Sequence, residues 1–161
     1  QGEAVTPAAF RGRVARARQH VGDQPFFLTY GDGVSDLNIG ALLDFHRQSR
    51  GVVTLTSVQP EGRFGAVELG SNDRVTGFLE KPEGDGQWIN GGFFVCEPGL
   101  FDLLENDDTV LERDPLQKLA ERGQLHAYRH KGFWRPMDTL RDKIYLNDLW
   151  MRNQAPWKVW S

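Results

Sequence analysis

The chain has 161 residues, 39% hydrophobic and 25% charged, with a formal net charge of −3, which fits one soluble domain and leaves little room for two independent cores. The charge balance excludes an overall basic footprint for nucleic acid, and no apolar run nears the roughly 20 residues of a membrane-spanning helix. A single cysteine, Cys96, excludes an internal disulfide and a thiolate metal cluster.

In chain order, a weakly patterned helix is expected over 9–20, where 11/18 spacing sets several arginines of the Arg11–Arg18 run on one solvated side. After Gln24-Pro25, the apolar run Phe26-Phe27-Leu28-Thr29-Tyr30 suits a strand buried on both faces of a parallel sheet. It ends in Gly31-Asp32-Gly33, a turn that presents one carboxylate where open α/β sheets bind ligands. Asp36 or Asn38 can cap the next helix, in which Ile39, Leu42, Leu43 and Phe45 recur at helical spacing, and Ser49-Arg50-Gly51 stops it. The strand at 52–58 completes a pattern that reads as a right-handed parallel crossover.

Residues 64–69 and 75–79 read as a hairpin, so a mixed sheet is expected. A glycine-rich connection at 84–87 leads into a strand at 88–96, where Cys96 reads as a buried structural thiol. Pro98 opens a short helix to about Leu104, and Asp114-Pro115 another to about Arg122. A strand from Leu125 to His130 leads to a loop at 132–139. The longest helical pattern follows from Thr139 to Arg152, with Leu140, Ile144, Tyr145, Leu149 and Trp150 on one stripe. The tail at 156–160 carries two indoles that suit docking on the body or on a neighbouring subunit. The chain as a whole reads as one α/β domain, with 139–161 as its C-terminal helix and tail.

Two aspartates each close a strand-like segment in a turn, Asp32 and Asp138. Alone, each reads as a turn residue bonded to its own loop. Together they can form a hard-oxygen site for Mg²⁺, which keeps waters and takes phosphate oxygens beside one or two carboxylates. Pro82 restricts Lys81 to extended backbone, which aims its ammonium as a point charge for a phosphate. Glu80 can accept from sugar hydroxyls, Asn90 can donate and accept, and Gly65, Gly91 and Gly92 allow a ligand to lie against the backbone. No Gly-x-Ser-x-Gly elbow or Cys/His pair occurs, and the four histidines fall in helical or strand patterns away from these turns. Tyr30 and Trp134 read as core or wall residues rather than base-stacking ones.

The order Tyr-Gly-Asp-Gly-Val, Gly-Arg-Phe-Gly-Ala, Glu-Lys-Pro, Ile-Asn-Gly-Gly-Phe-Phe, Gly-Phe-Trp-Arg-Pro-Met-Asp-Thr and Ala-Pro-Trp-Lys resembles the glucose-1-phosphate cytidylyltransferases among the sugar-phosphate nucleotidylyltransferases, from about Pro25 to Trp160. The resemblance implies a Rossmann-like mixed sheet flanked by helices and the reaction of CTP with α-D-glucose 1-phosphate to CDP-glucose and pyrophosphate. It implies Asp32, Lys81 and Asp138 as catalytic residues, with Mg²⁺ on the two aspartates. Gly65, Glu80, Asn90 and Gly91 would meet the substrate.

A homo-oligomer is the corresponding expectation, with neither nucleic acid nor membrane as partner. The absence of a leader at Gln1-Gly2-Glu3-Ala4 makes cytoplasm the default location. The family's glycine-rich triphosphate loop has no counterpart here, so the chain reads as a C-terminal portion of such an enzyme. Two other readings stay open: a non-catalytic binding module, and a metal-dependent glycosyltransferase of related fold.

Overall fold

Alternating apolar runs and amphipathic stretches resolve into strands and helices in a computed structural model that describes residues 13–60, 66–69, 71, 74–79, 87–104 and 109–160. In order these are α1 (Arg13–Val21), β1 (Phe26–Thr29), β2 (Gly33–Ser35), α2 (Ile39–Ser49), β3 (Val53–Val58), β4 (Ala66–Leu69), β5 (Val75–Leu79) and β6 (Ile89–Cys96). A 3₁₀ helix (Pro98–Leu103), α3 (Asp114–Glu121), β7 (Leu125–Arg129), β8 (Trp134–Pro136) and α4 (Leu140–Met151) follow. None of these helices is long and apolar enough to cross a membrane. The residues divide into two compact units, one within 1–29, 39–55 and 93–128, the other within 30–38, 56–92 and 129–161.

Among the described residues the first unit holds most of the buried apolar side chains, including Leu42, Val53, Phe94, Val95, Leu100 and Leu119. The sheet is ordered β1-β6-β3-β7. One expectation is corrected here. β1 is an edge strand, paired antiparallel with β6 from Phe26↔Cys96 to Thr29↔Phe93, and its side chains alternate, with Phe27 52% exposed. The crossover from β1 through α2 ends on β3, which runs parallel to β1 with the antiparallel β6 between them. Glu97 N–H donates to Val52 O at 2.8 Å, whereas Gly91 lies beside Thr56; partner numbers fall as β6 advances, so β6 runs against β3. Gln124 O meets Val52 and Val53 while His130 N–H meets Ser57 O, which makes β7 parallel to β3. The mixed sheet therefore comes from β6, not from the hairpin.

Within this unit α2 buries Leu42 and His46, four positions apart on one face. Both ring nitrogens of His46 are engaged, Nδ1 with Thr54 Oγ1 at 2.8 Å and Nε2 with Glu97 Oε1 at 3.1 Å. Buried polar groups require such partners, and this one ties α2 to β3 and to the end of β6. Phe26 stacks on Phe101 with ring centroids 5.1 Å apart. Cys96 is fully buried, and burial, with the Glu97 carboxylate beside it, pushes its thiol up to about 12. Among the α1 arginines, Arg18 remains well exposed while facing Asp102 at 3.5 Å, as a solvated helix face requires.

In the second unit β4 and β5 form the expected antiparallel hairpin with an irregularity between Glu68 and Leu69, but as a separate two-stranded sheet. The expected loop at 132–139 contains β8, which pairs antiparallel with β2 through Gly33↔Pro136, Val34↔Arg135 and Ser35↔Trp134. α4 starts at a capping box. Asp142 N–H donates to Thr139 Oγ1 at 3.2 Å, and Thr139 N–H donates to Asp142 Oδ2 at 3.2 Å. Asp142 Oδ1 accepts from Arg135 Nε and Nη2, both at 3.2 Å.

The helix expected from the stripe forms, and the stripe is largely exposed. α4 buries Asp142 and Leu146, while Leu140 is 72% and Ile144 60% exposed. The tail docks within the same unit, Trp157 on Phe133 at 5.4 Å and Trp160 on Trp150 at 6.5 Å.

The hydroxyl of Thr139 holds the Asp142 carboxyl below the usual carboxylate value; burial opposes this, and Arg135 adds to it. A depressed folded-state value stabilises the fold above the unfolded-state value and loses that contribution as pH falls through the folded one. Thermal melts of the wild type should therefore show an acid limb below about pH 4 that Asp142→Asn flattens. Thr139→Ala should cost about 1 kcal/mol at neutral pH. An unaltered acid limb in the Asn variant contradicts this account.

Candidate active site

The three-pair ladder of β2 and β8 positions both candidate metal ligands. Beyond its end pair, Gly33↔Pro136, Met137 N–H donates to Asp32 O at 2.7 Å, so Asp138 stands one residue further along the strand facing the Asp32 turn. Both aspartates are exposed. Pro136 is tolerated in a ladder this short because it ends the strand and lacks only a donor. Among the described residues no three His, Cys, Asp and Glu side chains are grouped to hold a metal. Two exposed carboxylates on adjoining backbone instead fit an ion that completes its shell with water and phosphate oxygen.

Asn90 and the two glycines after it meet the wall residues. Asn90 Nδ2 donates to the Tyr30 hydroxyl at 3.2 Å, and its Oδ1 accepts from Gly92 N–H at 2.9 Å, closing a local turn. Trp134 Nε1–H donates to Gly91 O at 2.8 Å. A Cβ on Gly91 would lie 3.1 Å from Thr56 O and from Val58. Gly92 has φ +77°, and a Cβ there would lie 2.7 Å from the Tyr30 ring. Packing inside the protein thus leaves no room for a side chain at either glycine. Gly65, Glu80 and Lys81 lie outside the described residues.

One residue that sequence reasoning set aside belongs beside this ladder. His130, only 10% exposed, packs against Ser35, Asp36 and Phe133. Nothing local marks it, since Ser35 is 95 positions away. The only trace in the sequence is His130 standing two residues before Gly132, at the close of a strand run.

Residues 9–148 match the family model described as nucleotidyl transferase, and the chain belongs to that family. It is 52% identical over 151 residues to the glucose-1-phosphate cytidylyltransferase of Salmonella typhimurium, covering 93% of this chain and 58% of that protein. It is 31% identical over 161 residues to the mannose-1-phosphate guanylyltransferase catalytic subunit beta of Danio rerio, covering 93% and 44%. Among solved structures, HddC from Yersinia pseudotuberculosis superposes with a TM-score of 0.64 at 16% identity over 93% of this chain and 64% of that one, a likeness of fold alone. The chain spans about three fifths of the Salmonella relative's length.

At Gly92 a positive φ and a ring at contact distance act together. Gly92→Ala should lower stability by about 1–3 kcal/mol, read as a drop in melting temperature. A melting temperature within error of wild type shows that β6 and Tyr30 yield there at no cost.

Proposed function

We propose that this chain takes part in the transfer of a cytidylyl group from CTP to α-D-glucose 1-phosphate, giving CDP-glucose and pyrophosphate. The observation that carries the reading is the 52% identity to a glucose-1-phosphate cytidylyltransferase across 93% of the chain. The meeting of Asp32 with the 137–138 segment through the Met137 hydrogen bond supports it. Family membership favours nucleotidyl transfer over glycosyl transfer.

The reaction needs no protein nucleophile. A sugar phosphate is largely ionised near neutral pH, with a second pKa of about 6. Its oxygen attacks the α-phosphorus of CTP in line; that P–O bond forms as the bond to the bridging oxygen breaks, and pyrophosphate leaves with the electron pair. Cys96 is unsuited to attack, being buried with its thiol at about 12. The protein's part is to position and to neutralise charge.

Asp32 and Asp138 would hold Mg²⁺. Bound there, the ion supplies positive charge against the phosphate oxygens. Lys81 is assigned to the sugar phosphate, and Glu80, Asn90, Gly65 and Gly91 to the glucose. Asn90 retains one N–H and one lone pair beyond its internal bonds, which leaves it able to meet a hydroxyl. A cytoplasmic homo-oligomer completes the proposal, supported by the exposed apolar side chains of α4 and the tail.

The first test is pyrophosphate release with Mg²⁺ and glucose 1-phosphate, comparing CTP with UTP and dTTP. Release with CTP alone is expected, and release with another base but not CTP overturns the assignment. Asp138→Asn, introduced where turnover is measured, should abolish metal-dependent release with an unchanged circular dichroism spectrum. Undiminished release removes Asp138 from the site.

A further inference from the structure

We propose that His130 is a positioning residue whose Nε2–H clamps one end of the β2–β8 ladder and so holds the Asp32 and Asp138 turns in register. The part of this that concerns metal rests on the function proposed above. Three acceptors surround the ring nitrogen. Ser35 Oγ lies at 3.1 Å, Phe133 O at 3.2 Å and Asp36 Oδ1 at 2.9 Å.

The hydroxyl of Ser35 gives its own hydrogen to Phe133 O at 2.8 Å and accepts from Leu37 N–H at 3.2 Å, so it offers His130 a lone pair. Asp36 Oδ1 is buried beside the ring and out of line for a hydrogen bond with it, so it adds negative charge next to Nε2 without taking the hydrogen. A bare Nε2 would set a fourth acceptor against these three. The hydrogen therefore sits on Nε2 and is shared between Ser35 Oγ and Phe133 O, one on each side of the ladder.

Two further observations place the clamp. The backbone of His130 is fixed through its own N–H to Ser57 O at 2.9 Å, so the ring hangs from an ordered strand end. Asp36 N–H donates to Phe133 O at 3.2 Å, which brings the two segments together again at the same point. A Cβ on Gly132 would overlap Asp36 Oδ1 and lie 2.8 Å from His130 Cε1, so residue 132 has no room for a side chain. The ladder between this cluster and the Asp32–Met137 bond has only three pairs. A slip by one residue would move Asp138 away from the Asp32 turn and reverse the face of each side chain.

The test uses His130→Leu, which removes the donor, and His130→Gln, whose amide can place an N–H near the position of Nε2. Gly132→Ala perturbs the clamp from its other side. Amide hydrogen exchange at Met137 reads the ladder, and Mn²⁺ binding, with Mn²⁺ alone as the probe, reads the two aspartates. In His130→Leu, exchange at Met137 should quicken and Mn²⁺ affinity fall, each by about tenfold, the size of one lost hydrogen bond. His130→Gln should stay near wild type, and Gly132→Ala should resemble the Leu variant.

Unchanged exchange at Met137 in the Leu variant overturns the clamp. Equal losses in the Leu and Gln variants also overturn it, because the ring's shape rather than its donor would then matter. Quickened exchange with unchanged Mn²⁺ affinity overturns the link to the aspartates. If wild-type Mn²⁺ binding is indifferent to Asp138→Asn, the metal reading fails by itself, and exchange at Met137 still decides the clamp. Should the Leu variant not fold, Gly132→Ala carries the same readouts.

Discussion

A backbone ladder of three residue pairs, Gly33–Ser35 against Trp134–Pro136, is the constraint on which the candidate site depends. It joins segments in which Ser35 and Phe133 are 98 positions apart. Closing a loop of that length costs more entropy than a hairpin, although the cost grows only with the logarithm of length. Three pairs worth roughly 0.5–1.5 kcal/mol per hydrogen bond are a thin return on such a closure. The ladder therefore relies on what surrounds it: the Ser35–His130–Phe133 cluster at one end, the Met137–Asp32 bond at the other, and Arg135 reaching from β8 to Asp142.

The elements that could be read from the sequence are those whose signal is local. The helices at Ile39–Ser49, Asp114–Glu121 and Leu140–Met151 and the strands at Val53–Val58 and Ile89–Cys96 follow from spacing and from Pro, Gly and Thr at their ends. What stayed hidden depends on distant partners. β6 between β1 and β3 could not be read, because a continuous apolar run does not say which strand it will join. β2 and β8 are too short to show a period. The exposure of the α4 stripe was not legible either, because helical spacing says which residues share a face and not whether anything covers it.

The candidate site was legible to the same extent. Asp32 and Asp138 stood out because each closes an apolar or aromatic segment in a turn, and that is a local mark. Their adjacency is a property of the ladder. Asn90 and its two glycines were visible as a motif, yet their neighbours Tyr30, Thr56 and Trp134 come from three other places in the chain. His130 was passed over because histidine in a strand pattern is common, and only the fold brings Ser35 and Phe133 to its ring nitrogen.

Gly92 is held in two separate ways, and the difference governs how this stretch can drift. Its conflict with the Tyr30 ring is steric and could be relieved by a smaller residue at position 30, at the expense of the Asn90 hydrogen bond to the Tyr30 hydroxyl. Its positive φ is a backbone cost that no partner substitution removes. Positions 30 and 92 are therefore epistatic in only one of these respects. A double replacement can recover the space but not the conformation. Residue 30 has some freedom to vary once its contacts change, and residue 92 keeps its constraint whatever stands opposite.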